Sequence, residues 1–133
     1  MKKILVVLGL FFPTFLVAEE ILYCVEELKT GFHYKNNYFE EVTFTQQRFT
    51  VKVYGDFEKI DTPSEIGMHC EKATGERIYI CTDRYRQGIF FKYNKSNKRF
   101  ILTRISRFGY LDYPSNDGDY DSDSLSVGKC EQF

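Results

Sequence analysis

The sequence predicts an all-β protein, a small antiparallel barrel or sandwich of about seven or eight strands held by two disulfides. Three observations indicate this class. Apolar residues recur with period two along most of the chain, turn-forming residues separate the apolar stretches at close spacing, and the chain contains four cysteines. No stretch keeps a helical period for three turns.

The first 18 residues are predicted to be a secretory signal peptide. Lys2 and Lys3 supply positive charge, residues 4–17 are apolar, and Ala18 provides a small residue at the cut site. A short transmembrane anchor is the alternative, but the apolar run is shorter than the roughly 20 residues that a spanning helix needs, and Pro13 interrupts it. We therefore expect export to the periplasm or out of the cell, with residues 19–133 forming one β domain that does not span the membrane.

The four cysteines all follow the predicted signal peptide, and an even count in an exported chain predicts two disulfides. Three pairings are open. A hairpin with a four-residue loop over 74–77 would place Cys70 opposite Cys81, and this leaves Cys24 to pair with Cys130. A zinc site is the alternative, but ten residues between Cys70 and Cys81 are poor spacing for zinc, and the exported compartment disfavours it.

The first half of the mature chain contains two predicted strands, a helical turn and a hairpin. Residues 21–26 form the first strand, and residues 26–30 form one helical turn ended by Gly31. A tight hairpin surrounds Asn36-Asn37, because Asn accepts positive φ. Residues 48–54 alternate cleanly, which is typical of a strand with one buried face.

The second half is predicted to begin with a surface connection over residues 55–64, which leads into the hairpin of Cys70 and Cys81. After a basic turn, a second hairpin surrounds residues 94–97, with Phe91 opposite Phe100 on the core face.

Two further strands are expected near the end of the chain. One is aromatic, over residues 108–113, and stops at Pro114. The last runs over residues 125–133 and needs a bulge at Gly128 to bring Val127 and Cys130 to the same side.

Residues that could perform catalysis are sparse. His33 and His69 each stand alone, and a lone histidine is more often structural than a general base. The chain contains no nucleophile elbow, no zinc-protease motif and no phosphate-binding glycine loop. We therefore expect a protein that is not an enzyme and needs no cofactor.

An acidic stretch near the C-terminus is the nearest approach to a metal motif. Carboxylates at every second position suit Ca²⁺, and the candidate ligands are Asp117, Asp119, Asp121 and Asp123. The calcium-binding loop pattern fails, because Ser122 replaces its turn glycine and Gly128 replaces its final glutamate. A solvated loop is the alternative.

Charge is unevenly distributed along the chain. Residues 76–110 carry nine Lys or Arg and two acidic residues, whereas residues 111–133 carry six acidic residues and one Lys. This asymmetry could steer a charged partner, and the residues predicted to contact it are Arg84, Tyr85, Arg86, Lys92 and Arg99. The alternative is that these basic residues protect edge strands from aggregation. The net charge of −1 is not that of a general nucleic-acid binder.

The arrangement of several short motifs resembles a group of short exported bacterial proteins of unknown function. Tyr23-Cys24-x-Glu26 lies near the mature N-terminus, Gly31-Phe32 follows, Arg48-Phe49-Thr50-Val51-Lys52 comes next, and Gly128-x-Cys130-x-x-Phe133 ends the chain. The resemblance implies no activity. A looser similarity, in size, export and terminal cysteines, is to the periplasmic inhibitors of C-type lysozyme, which are small antiparallel barrels. The chain lacks a clear counterpart of their Ser-Gly-x-x-Tyr loop, so no site residues follow from that similarity.

The leading functional hypothesis is an exported, non-enzymatic binding domain of the bacterial cell envelope, of which an inhibitor is one form. Its partner would be an envelope or extracellular protein, or an anionic surface, engaged by charged loops of a monomer. The alternative is a lipocalin-like barrel that carries an apolar small molecule among Phe91, Tyr93 and Phe100.

Overall fold

The computed structural model describes residues 20–35, 38–73, 75, 77–85, 88–105 and 120–132. These residues form strands and connecting loops, and no helix long and apolar enough to cross a membrane occurs among them. The nine strands are β1 (Glu20–Lys35), β2 (Tyr38–Thr43), β3 (Arg48–Tyr54), β4 (Lys59–Asp61), β5 (Met68–Lys72), β6 (Ile78–Thr82), β7 (Ile89–Asn94), β8 (Arg99–Arg104) and β9 (Tyr120–Gln132). The predicted all-β class is therefore confirmed.

The sheet closes into an antiparallel barrel. Its strand order is β2-β1-β3-β4-β5-β6-β7-β8-β9, and β1 also pairs with β9, which joins the two ends. Eight strands form the barrel, and β2 is an extra strand on the far half of β1, outside the closed ring. This closure decides between the predicted barrel and sandwich in favour of the barrel.

The first strand is much longer than predicted. The prediction of a helical turn over residues 26–30 is wrong. The backbone groups of this stretch form hydrogen bonds with a neighbouring segment of the chain and not with one another. The Glu26 amide donates to the Gln47 carbonyl, and the Lys29 carbonyl accepts from the Phe44 amide. Strand hydrogen bonding thus replaces helical bonding through Gly31 and beyond.

The prediction of a bulge at Gly128 is also wrong, because the bulge lies in β1 and not in β9. Glu26 pairs with Gly128 and Leu28 pairs with Val127, so Glu27 has no opposite residue in β9. Gly128 and Cys130 face the interior, whereas Val127 keeps the opposite orientation.

Both predicted disulfides are present. Cys24 pairs with Cys130 across β1 and β9, and Cys70 pairs with Cys81 across β5 and β6. The Ala73 amide donates to the Ile78 carbonyl, so the loop between β5 and β6 has the four residues expected. Tyr79 and Cys81 are buried on this hairpin, which identifies its core face.

Aromatic rings fill the barrel interior. Phe91 is fully buried, and its ring centroid lies 5.6 Å from that of Phe100 and 6.3 Å from that of Tyr93. Burial, followed by the charge of Glu20, raises the pKa of the Tyr93 phenol above its usual value of 10.0. Such packing is that of a filled protein core.

One end of the interior is closed by Phe57, from the turn between β3 and β4. Its side chain is only 2% exposed, and its ring stacks 4.4 Å from Tyr79 and 5.4 Å from Tyr93. Phe57 has a φ of +54°, a backbone conformation that disfavours a bulky side chain. Burial of the Phe57 ring offsets the free-energy cost of this backbone conformation.

The hairpin of β7 and β8 has the predicted faces but a different register. Phe91 lies opposite Leu102 and not Phe100, which lies opposite Tyr93. The loop is residues 95–98 and not 94–97, because the Asn94 side chain accepts the Ser96 and Asn97 amides and Lys98 adopts a φ of +60°. The shift is two residues, so every side chain keeps its predicted face.

Strand β4 was not predicted, since residues 55–64 were expected to be a connection. It has three residues, of which Ile60 is fully buried. The signal peptide predicted for residues 1–18, the Asn36-Asn37 loop and the aromatic strand predicted over 108–113 lie outside the described residues.

Candidate functional site

The structure brings two of the predicted partner-binding residues together on the outer surface of the barrel. Lys92 on β7 and Arg99 on β8 are both exposed, and they line one groove of about 470 Å³. We call it the basic groove; its other lining residues include Ile78, Asn94, Asn97, Ile101 and one acidic residue, Glu27, whose carboxylate lies 3.5 Å from the Lys129 ammonium.

Apolar residues stand between the charges of the basic groove. Lys92 lies opposite Ile101 in the pairing of β7 and β8, and opposite Ile80 in the pairing of β6 and β7. Ile78 is 40% exposed and Ile101 is 44% exposed. A cationic surface with exposed aliphatic side chains can combine charge attraction with burial of apolar area, as protein interfaces do.

Two other predicted residues, Arg84 and Tyr85, belong to a different part of the barrel. Arg84 and Tyr85 lie in the turn between β6 and β7, where the guanidinium carbon is 5.8 Å from the ring centroid. The turn is held by Asp83, which is buried and exchanges hydrogen bonds with the backbone of Ile89. Arg86 lies outside the described residues. Of the four predicted residues that the structure describes, Lys92 and Arg99 line the basic groove, whereas Arg84 and Tyr85 do not.

The predicted calcium ligands are only partly described. Asp123 lies in β9 opposite Phe32, whereas Asp117 and Asp119 and the side chain of Asp121 lie outside what the structure describes. No group of three or more His, Cys, Asp or Glu side chains with metal-binding geometry occurs among the described residues. The calcium site stays a prediction.

His33 is held by a serine. Its Nδ1 lies 2.7 Å from the Ser122 hydroxyl oxygen, a part-buried contact between the neighbouring strands β1 and β9. A serine and a histidine at this distance occur in hydrolases, but there they accompany a substrate cleft and an oxyanion hole. Neither residue is among those that line the basic groove. The contact links strands β1 and β9. The other histidine, His69, is exposed on β5.

An ion pair that the sequence analysis missed lies near the bulge of β1. The Lys29 ammonium is 3.3 Å from a Glu26 carboxylate oxygen, and both side chains are buried. The same oxygen accepts the Gln47 amide at 2.8 Å. Since a buried charge is costly unless it is paired, Glu26 and Lys29 depend on each other. The bulge at Glu27 turns both side chains to the same side, which alternation alone could not predict.

A second groove, also missed, crosses the outer face where β2, β1, β9 and β8 lie side by side. Its volume is about 580 Å³, and apolar lining residues are Phe32, Phe39, Ile105 and Leu125. The described lining includes the carboxylates of Glu41 and Asp123 and no Lys, Arg or His. We call it the apolar groove. The rings of Phe32 and Phe39 lie on β1 and β2. The alternation of apolar and polar residues in these strands does not indicate which face is the core.

Comparisons of this chain with protein-family models, with curated proteins and with solved structures found no match. The fold and the surface chemistry therefore carry the functional argument. The resemblance to short exported bacterial proteins stays a prediction.

Proposed function

We propose that this protein is an exported, non-enzymatic binding domain of the bacterial cell envelope that engages its partner on the outside of the barrel. The observation that carries this proposal is the packed interior. Phe91, Tyr93 and Phe100, the residues that a carrier would use to line its ligand cavity, contact one another and fill the barrel. This packing favours surface binding over the carrier alternative.

The basic groove is the proposed contact surface. Lys92 and Arg99 present positive charge next to exposed Ile78 and Ile101, so the partner is expected to be a protein with an acidic surface that also offers apolar side chains. An inhibitor of an envelope or extracellular enzyme would meet this description. Two disulfides support an oxidising compartment for both molecules.

Charge reversal of the groove tests the proposal. The variant Lys92→Glu/Arg99→Glu should capture at least tenfold less partner from an envelope extract of the host than the unaltered protein does. Salt should release the partner from the unaltered protein, because the contacts are partly electrostatic.

The matched control is Arg48→Glu/Lys59→Glu, which makes the same charge change at exposed positions of β3 and β4. Strand β4 stands opposite β8 in the eight-stranded ring. Equal capture by the two double variants, or no capture by the unaltered protein, would contradict the proposal.

A further inference from the structure

Apolar side chains beside the basic groove form a row that crosses three strands of the outer face. The pairings of β8 with β9 and of β9 with β1 align Ile101, Val127 and Leu28. We call these three residues the aliphatic row. Ile101 is 44% exposed and Leu28 is 67% exposed, so both ends of the row face solvent. The bulge at Glu27 turns Leu28 outward and so extends the row onto β1.

A row of cations runs beside the aliphatic row on the same strands. Arg99 lies directly opposite Lys129 in the pairing of β8 and β9, and both side chains are exposed. Like charges in this position repel each other. The Lys129 ammonium is 3.5 Å from a Glu27 carboxylate oxygen, whereas no ion pair among the described residues includes Arg99. This cationic row, Arg99 and Lys129, therefore favours an incoming anionic group.

The other side of the aliphatic row is uncharged. The same strand pairings align Thr103, Leu125 and Thr30 there. Positive charge thus lies along one side of the aliphatic row and not the other. A partner that matches this surface needs an apolar stripe with carboxylates along one side of it.

The spacing within the rows is that of side chains on a helix surface. Neighbouring strands lie about 4.8 Å apart, so the residues of each row follow one another at this interval. Helix residues at i, i+4 and i+7 share one face, and each step rises about 4.5–6 Å along the axis. A strand laid along the row would present side chains about 6.8 Å apart, and its intervening residues would point away from the surface. The helix therefore matches both the interval and the lateral position of the cations.

We propose that the partner binds through an acidic amphipathic helix that lies across β8, β9 and β1. This inference rests on the proposed function, because it names the element of the partner that reaches the basic groove. Apolar side chains of the helix pack on the aliphatic row, and Asp or Glu along one flank meets the cationic row. Lys92, which lies opposite Ile101 at the β7 end of the aliphatic row, adds a third cation. Helix and sheet thereby cover each other's exposed apolar surface.

The probe is a blocked alanine-based peptide of about five helical turns, long enough to form a helix, with leucines at i, i+4 and i+7 and glutamates at i+1, i+5 and i+8. Amide chemical shifts of the ¹⁵N-labelled protein should change at residues 27–29, 99–101 and 127–129 as this glutamate peptide is added. A peptide with lysine in place of each glutamate should bind at least about fivefold more weakly, because each ionic contact changes sign. A peptide of the same composition, with its leucines redistributed around the helix, should be weakened at least about as much.

Two variants test the aliphatic and cationic rows separately. Leu28→Gln should weaken binding of the glutamate peptide at least about threefold, whereas Ile66→Gln, the same kind of change at a side chain that is 77% exposed between β4 and β5, should leave it unchanged. Glu27→Gln releases Lys129 from its ion pair and should strengthen binding of the glutamate peptide about twofold. Glu58→Gln, at an exposed position elsewhere, is the control for that change.

Absence of shifts in the two rows, or equal binding of the glutamate peptide and either control peptide, would overturn this inference. Sedimentation of the unaltered protein with phosphatidylglycerol vesicles that Leu28→Gln abolishes would assign the surface to a lipid bilayer and overturn it too. Self-association that Leu28→Gln abolishes would do the same in favour of a second copy of the chain.

The two proposals fail in different experiments. Loss of the envelope partner in Lys92→Glu/Arg99→Glu without any binding of the glutamate peptide would overturn the helix inference and leave the proposed function standing. Unchanged capture of the envelope partner by that variant would contradict the proposed function even where the glutamate peptide binds.

Discussion

Cys24 on the first strand and Cys130 on the last strand lie directly opposite each other, with their Cα atoms 4.0 Å apart although 106 residues separate them in sequence. Both are buried in the core. The disulfide therefore lies at the one pairing, β1 with β9, that converts an open sheet into a barrel. Cys70 and Cys81, only 11 residues apart, link two strands that a short loop already joins.

The two disulfides should differ in their contributions to stability. In the chain-entropy model the loop closed by Cys24 and Cys130 restricts the unfolded chain more, so its loss should lower the free energy of unfolding by about 2 kcal/mol more than loss of the other. Urea unfolding of Cys24→Ala/Cys130→Ala and Cys70→Ala/Cys81→Ala measures the difference. Equal midpoints would contradict this prediction.

Phe57 should be one of the most sensitive positions for stability. Phe57→Ala removes the ring that stacks on Tyr79 and Tyr93 and should cost about 3–5 kcal/mol. Phe57→Gly loses the same ring but suits the positive φ, so it should be up to about 1 kcal/mol more stable than the alanine variant. Chemical denaturation compares the two variants, and a Phe57→Ala variant as stable as the unaltered protein would contradict the packing of Phe57 against Tyr79 and Tyr93.

Gly128 should tolerate no side chain. A Cβ there would overlap the Val25 carbonyl oxygen and lie 2.8 Å from the Phe100 ring, so Gly128→Ala should cost about 1–3 kcal/mol through overpacking. Gly75→Ala is the control, because its Cβ would meet nothing within 4 Å. Its cost should be limited to the backbone strain of a positive φ. Thermal unfolding compares the two variants. A larger loss of stability in Gly75→Ala than in Gly128→Ala would contradict the close packing around Gly128.

The pKa of the Asp56 carboxyl should depend on Lys72. A hydrogen bond and the charge of Lys72, with a smaller effect from Lys95, hold the pKa of the Asp56 carboxyl below 3.8. Because the folded pKa is the lower one, this contribution to stability is present above the ordinary pKa and is lost as pH falls through the folded value.

Replacing the lysine should remove this effect. Lys72→Met should raise the pKa of Asp56 towards 3.8, as measured by carboxyl ¹³C titration. Lys59→Met, at an exposed lysine of β4, should leave it unchanged. An Asp56 pKa that is the same in the Lys72→Met variant and the unaltered protein would show that another group is responsible.

The fold was predictable from the sequence where alternation and turn chemistry agree. The hairpin of Cys70 and Cys81 has the predicted register, because its loop places the two cysteines opposite each other. The hairpin of β7 and β8 has the predicted faces but a register two residues away. Hydrogen bonds from the Asn94 side chain select the loop, and alternation cannot detect an even shift.

The surface sites were less predictable, because barrel closure decides which residues meet. Lys92 and Arg99 were predicted from local charge, and pairing of adjacent strands brings them into one groove. Phe32 and Leu125 lie 93 positions apart and meet only because the last strand returns to the first. Nothing in an alternating strand distinguishes an aromatic residue that faces the core from one that faces solvent.

The central claim, binding on the outside of a filled barrel, is tested most directly by native mass spectrometry of the protein purified from its own host. We expect the mass of the polypeptide with two disulfides bound to a protein partner that Lys92→Glu/Arg99→Glu no longer retains, and no bound small molecule. A stoichiometric apolar small molecule that stays bound in both forms would contradict the claim and support a carrier.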